Sequence, residues 1–147
     1  MIRKFMQSLL MAVVVAIGMV GGASAQANTI ATKITVDFEF NVGNRQLPAG
    51  EYRIKFLNND HSQKLLIISS ADGKTHAIFG GMTAPNSART EPGAVTFMQY
   101  GDRYFLSRVN IGDPSQTQEM IKSRAERDAA RIVANVGGTR VIVPGND

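Results

Sequence analysis

Two histidines and no cysteine narrow the chemistry open to this chain of 147 residues. His61 falls in a polar turn, and His76 falls at an outward position of a predicted strand; both read as surface histidines, because no HExxH or comparable spacing offers a metal or a general base its partners. Serine hydrolase chemistry has no GxSxG elbow to start from. The glycines form neither a GxGxxG nor a Walker loop. Asn58, Asp60 and Ser62 place oxygen atoms at alternate positions, as calcium loops do. The sixth and twelfth positions of such a loop are Gln63 and Ser69, not glycine and glutamate, so a turn is the expectation. Asp37 and Glu39 share the outer face of a predicted strand, where carboxylates are solvated rather than paired across a cleft as glycosidases need. No catalytic, cofactor-binding or metal-ligating residue is therefore assigned, and no cofactor is expected.

Two further groupings suit binding rather than reaction. Arg124, Arg127 and Arg131 recur at i, i+3 and i+7, a stripe along one predicted helix that would face an anionic partner such as a lipid head group or polysaccharide. Glu126 and Asp128 temper that stripe, and a solvated helix face is its simpler reading. Tyr52, Phe97, Tyr100, Tyr104 and Phe105 fall within predicted strands and would line a concavity if the sheet curls around one; aromatics so placed are more often plain core.

The elements that must position these residues follow from periodicity. Thr32 to Phe40 alternates, with Ile34, Val36, Phe38 and Phe40 on one side, which is a half-buried strand. NVGNRQLPAG then reads as a loop ending in a Pro48–Gly50 turn. Glu51 to Leu57 alternates again. Lys64 to Ser70 is nearly all apolar, as in a central strand covered on both faces. Ala71-Asp72-Gly73-Lys74 makes a hairpin to Thr75–Met82, where Gly80-Gly81 marks a weak end or a bulge. Residues 83–93 read as an exposed loop. Val95–Tyr100 and Tyr104–Ile111 form a second hairpin. Ser123 and Glu126 have capping-box spacing, and Ala125, Ala129, Ile132, Val133 and Val136 then form an apolar helical stripe that ends at Gly137-Gly138. Thr139–Val143 is a last short strand. The expected fold is mainly β: an antiparallel curled sheet, open barrel or sandwich of six to seven strands, with one C-terminal amphipathic helix at about 124–136.

The N-terminus gives an address. Arg3 and Lys4 precede an apolar run from Leu9 to Val20, and Ala23-Ser24-Ala25 supplies the small residues that a signal peptidase reads. Residues 1–25 are expected to be a cleavable signal peptide, cut after Ala25 or, alternatively, Ala27. Residues 26–147 then form a single β-rich domain, without a transmembrane segment, in the periplasm or outside the cell. Arg3 and Lys4 are two of 16 basic residues set against 12 acidic ones, so cleavage halves the positive excess. A balance that small gives no reason to expect nucleic-acid binding. The lack of cysteine leaves neither a lipoprotein anchor nor a disulfide framework.

Several phrases occur together: Phe40-x-Val42-Gly43, Leu47-Pro48-Ala49-Gly50-x-Tyr52, Ala71-Asp72-Gly73, Tyr100-Gly101-Asp102-x-Tyr104-Phe105-Leu106-Ser107, and Ser123-x-x-Glu126-Arg127 with Ala130-Arg131. In this order they resemble a family of short, secreted, uncharacterised bacterial proteins frequent in acidobacteria-like soil organisms, over about residues 36 to 131. The resemblance implies location and domain extent, and no activity. Relatives often carry a tryptophan just after the second hairpin's return strand, where this chain has none. The function expected from the sequence is an exported, non-catalytic structural or interaction module of the periplasm or cell surface, with a protein or an anionic envelope component as partner. The alternative is a carrier of a small apolar ligand held in the curled sheet.

Overall fold

The computed structural model describes residues 31–57, 64–84, 91–112 and 117–146. In chain order the elements are β1 (Ala31–Val36), β2 (Phe40–Val42), β3 (Arg45–Leu47), β4 (Gly50–Phe56), β5 (Lys64–Ser70), β6 (His76–Thr83), β7 (Val95–Tyr100), β8 (Arg103–Asn110), β9 (Thr117–Met120), α1 (Arg124–Ile132) and β10 (Thr139–Val143). The ten strands form one curled sheet that does not close on itself. The mainly β fold with one late helix is as expected, with more strands than the periodicity resolved. One pairing, β2 with β8, is parallel, so the sheet is mixed rather than purely antiparallel.

The differences have local causes. The alternation from Thr32 to Phe40 spans two strands, because the chain leaves β1 after Val36 and re-enters the sheet at Phe40 beside β8. The stretch read as a loop is a hairpin: Phe40 pairs with Leu47 and Val42 with Arg45 around Gly43-Asn44, with Gly43 at φ 61°. A two-residue Gly-Asn turn accepts the positive φ that a tight hairpin needs. The hairpin at Ala71–Lys74 forms as its residues dictate, with Gly73 at φ 71° and the Ser70 amide donating to the Thr75 carbonyl at 2.8 Å. Gly81 serves a close approach. A methyl group added there would lie 2.8 Å from Met120 Cε and 2.9 Å from Gln118 Cβ, so its missing side chain lets β9 lie against β6. β5 is central, between β4 and β6, with Leu66 and Ile68 buried inside and Leu65 and Ile67 half-buried outside.

The concave face is filled. Ile34, Val36, Phe40, Leu47, Ile54, Leu66, Ile68, Val95, Phe97 and Val109 pack there as one cluster. Phe40 meets Tyr52 and Phe97 edge to face at 5.2 and 5.1 Å, and Phe38 stacks on Tyr104 at 4.0 Å. Such contacts add to the burial of the rings themselves. A second, smaller cluster lies under the helix, where Tyr100, Phe105 and Ala129 are buried with Met98, Ala125 and Val133 against them. Phe105 and Leu106 are adjacent in β8 and so point to opposite faces, which puts one aromatic residue under α1 and its neighbour in the main core.

The helix is shorter than the apolar stripe suggested. It ends at Ile132, and the stripe splits: Ala129 is buried, Ala125 and Val133 are half-buried, while Ile132 and Val136 are exposed. Its start matches the capping signal, with Ser123 Oγ accepting from the Glu126 amide at 3.1 Å. Gly138 follows where β10 begins to cross under Tyr100; a methyl group there would fall 2.5 Å from the Tyr100 ring. β10 pairs with β7, and no ladder joins it to β1. Asn146 bridges that seam instead: its amide donates to the Lys33 carbonyl at 2.7 Å and its side chain to Thr35 Oγ1 at 2.8 Å.

Candidate functional site

The site arises where the sheet parts. One edge of β8 is shared by two strands placed end to end. β2 pairs with Tyr104 and Phe105, and β9 pairs with Arg108 to Asn110. Leu106 and Ser107 lie between them, paired with neither. β9 stops at Met120 and the chain turns out towards α1. β6, which pairs with β9 only over Gly81–Thr83, therefore continues from Gly80 back to His76 with, among the described residues, a strand on one side alone. Opposite that edge stands the β2–β3 hairpin.

A cleft of about 530 Å³ fills the gap. Consecutive residues Ala77 to Gly80 line one wall and consecutive residues Asn41 to Arg45 the other; Phe105, Leu106 and Met120 lie between, and Ile121, Ser123 and Glu126 contribute from the helix side. A strand seen on its face presents alternate residues, whereas one seen along its edge presents every residue. The β6 wall is thus a strand edge, with backbone groups available, and the facing wall is the tip of the β2–β3 hairpin, whose first strand is already paired with β3 and β8.

Glu126 is the charged group drawn into this cleft. It is 4% exposed. Ser123 accepts its backbone amide at the helix start, while its carboxylate turns away to Tyr100, whose hydroxyl donates to Oε1 at 3.4 Å. Lys122 Nζ donates to the same hydroxyl at 3.4 Å. Burial raises the Glu126 carboxyl above its ordinary value, and the nearby Lys122 charge and the Tyr100 hydrogen bond offset part of that rise. Among the described residues no lysine or arginine forms an ion pair with it. Arg127 instead donates to the Lys122 carbonyl at 2.6 Å, and Arg108 pairs with Glu119 at 3.2 Å.

The arginine stripe lies on the exposed side of α1. Asp128 sits between Arg124 and Arg131, at 3.9 and 3.6 Å, and Arg127 is tied to the backbone before the helix. Such exposed pairs are worth roughly 0–1 kcal/mol. The candidate aromatics divide between two faces. Phe97 is fully buried in the main core, Tyr52 is buried with its hydroxyl donating to the Pro48 carbonyl at 2.6 Å, and Tyr104 is half-buried against Phe38. Tyr100 and Phe105 lie under α1, 5.9 Å apart, and Phe105 reaches the cleft. They do not face one shared cavity. His76 is exposed at the start of the free β6 edge. His61, Asn58, Asp60, Ser62 and the leader lie outside the described residues, as does the middle of the 83–93 stretch.

A second hollow, of about 490 Å³, lies over β1, β4 and β5, with Tyr52, Arg53, Ser70 and Asn146 in its lining. It sits on continuously paired strands. Among the described residues, no group of three or more histidine, aspartate or glutamate side chains could hold a metal ion, and no helix is long and apolar enough to cross a membrane. No protein-family model, curated protein or solved structure matches the chain.

Sequence reasoning assigned Glu126 to the helix cap and to the balance of the arginine stripe, and overlooked Lys122, Arg45, Ile78 and the β2–β3 edge. The Gly43-Asn44 pair between Val42 and Leu47 was a legible hairpin signal. The burial of Glu126 had no local signal, since Tyr100 is 26 residues away.

Proposed function

We propose that this protein is an exported, non-catalytic interaction module of the cell envelope that holds a partner protein in the cleft between β6, the β2–β3 hairpin and the start of α1. The observation carrying this reading is that the cleft is walled by the open edge of β6 and the tip of the β2–β3 hairpin rather than by a converging set of reactive side chains. Export rests on the basic, apolar and small-residue sections of the N-terminus, and the resemblance to short secreted bacterial proteins agrees with it. Around the cleft, Ile78, Met82 and Ile121 are exposed apolar side chains, 56%, 61% and 68% accessible. Apolar groups gathered beside an unpaired edge favour association. The carrier reading needs an open interior, and the concave face is occupied by Phe40, Phe97, Leu47 and their neighbours.

Native mass spectrometry of the protein purified from its own envelope fraction tests this. A protein partner retained by the wild type and lost in Ile78→Arg is the expected result. Ile78 is exposed, so the variant keeps its fold, which circular dichroism checks. A co-purified small molecule without a protein partner would sink the reading in favour of the carrier.

A further inference from the structure

Resting on the reading of this cleft as a protein-binding site, we propose that the free His76–Gly80 edge of β6 takes up an extended segment of the partner as an added strand, with a lysine or arginine of that segment meeting the Glu126 carboxylate. Three observations converge. First, β6 pairs with β5 from His76 to Gly81, while among the described residues its other side is paired only from Gly81 onward. The open part spans five residues, about 17 Å of strand. A row of unpaired amides and carbonyls of that length is a template for another strand. Edges that exclude such pairing carry lysine, proline or a bulge; His76-Ala77-Ile78-Phe79-Gly80 has none of these.

Second, the space fits an extended chain. The cleft lies within the range of sites that enclose a small ligand, and it runs as a slot between the β6 edge and the tip of the β2–β3 hairpin. A segment entering it would add main-chain hydrogen bonds to β6 on one side and lie along the β2–β3 hairpin on the other. In strand addition these bonds give affinity, and pockets for alternate side chains give specificity.

Third, the slot has a charge to complement. Glu126 is 4% exposed and lines the slot, yet its hydrogen bonding among the described residues is to the Tyr100 hydroxyl alone and it has no ion-pair partner there. A buried carboxylate left in that condition favours an incoming donor, most strongly a cationic one. Of the chain's own cations nearby, Lys122 acts on Glu126 through its charge while its hydrogen bond goes to the Tyr100 hydroxyl, and Arg127 donates to a backbone carbonyl. Arg45 stands on the opposite wall, so an acidic side chain in the segment would sit on the hairpin side, and the basic one on the helix side.

The test is selection of linear seven-residue peptides from a displayed library against the full-length processed protein, followed by titration of the synthetic winners. The winners are expected to alternate apolar side chains and to carry a lysine or arginine. Replacing that residue with glutamate should weaken binding by about tenfold or more, the weight of one desolvated charge contact. N-methylation of alternate peptide amides should abolish binding, and bound peptide should slow hydrogen exchange at residues 76–80. In Glu126→Gln, isosteric and uncharged, the preference for a basic residue should disappear while residual binding stays sensitive to N-methylation. Winners that tolerate N-methylation, or that bind Glu126→Gln with the same basic preference, would overturn the proposal, as would self-association through β6 that no peptide displaces. Each of those results leaves the wider reading standing if a protein partner is still lost in Ile78→Arg; absence of any protein partner removes both.

Discussion

Glu126 occupies two roles that pull in different directions. Its backbone amide is part of the helix start, fixed by Ser123, and this sets where the side chain begins. A capping box would return the carboxylate to the Ser123 amide. Here it turns to Tyr100 and is buried, and burial raises its affinity for a proton by more than the Lys122 charge and the Tyr100 hydrogen bond lower it. A carboxyl that holds its proton more tightly when folded than when unfolded makes the folded state take up protons. Its contribution to stability is therefore full below the ordinary carboxylate value and is lost as pH rises through the raised value. Glu126→Gln carries no such titration. The variant should match the wild type in acid and gain on it as pH rises to neutrality, read from denaturant midpoints across that range. Parallel curves for the two proteins would show that Glu126 is solvated.

At the scale of elements, β6 is the strand on which the site depends, because it belongs to two different environments along its length. At Gly81 it is paired on both sides, with β5 and β9, and Met82 and Thr83 continue along β9; from His76 to Gly80 it is, among the described residues, an edge paired with β5 alone. Gly81 marks the change. Its α-carbon lies so close to β9 that a methyl group would press on Met120 Cε and Gln118 Cβ, with the Glu119 carbonyl at 3.4 Å. The Met120 end can move, but Gln118 is fully buried. Gly81→Ala should therefore cost about 1–3 kcal/mol, while Gly80→Ala, whose nearest contact is Leu65 at 3.9 Å, should cost little. Equal midpoints for the two variants would contradict the close approach. The Gly80-Gly81 pair was legible as an irregularity in a strand. Which glycine mattered was not, since the partner strand, Thr117–Met120, is four residues long, polar except for Met120 and without a periodic pattern.

The whole molecule is a curled sheet with a filled concave face. Its ladder is open between β1 and β10, where Asn146 bridges, and it is split between β6 and the β2–β3 hairpin. The second opening forms the cleft of about 530 Å³ beside the exposed Ile78 and Ile121. Filling of the interior makes a measurable claim. Phe97 is fully buried and meets both Phe38 and Phe40 edge to face. Phe97→Ala should lower stability by about 3–5 kcal/mol, a large share of the roughly 5–15 kcal/mol that holds a domain together. Chemical denaturation measures this directly, and a loss near zero would mean that the concave face tolerates a void and has room for a ligand.

Local chemistry in the sequence was enough for the class of the fold, the two tight hairpins at Gly73 and Gly101, the alternating strands and the capped start of the helix. Each of these depends on neighbours within a few residues: a glycine able to adopt positive φ, a side-chain period of two, a serine three residues before the amide it accepts. The tertiary structure decided the rest. It set β2 parallel to β8, brought the end of β9 towards the end of β2, and so left Leu106–Ser107 paired with neither of them and the β6 edge open among the described residues. It placed Tyr100 over Glu126 and divided the aromatics between two faces of one sheet. These are consequences of which strands meet, over separations of tens of residues, and no window of sequence contains both partners.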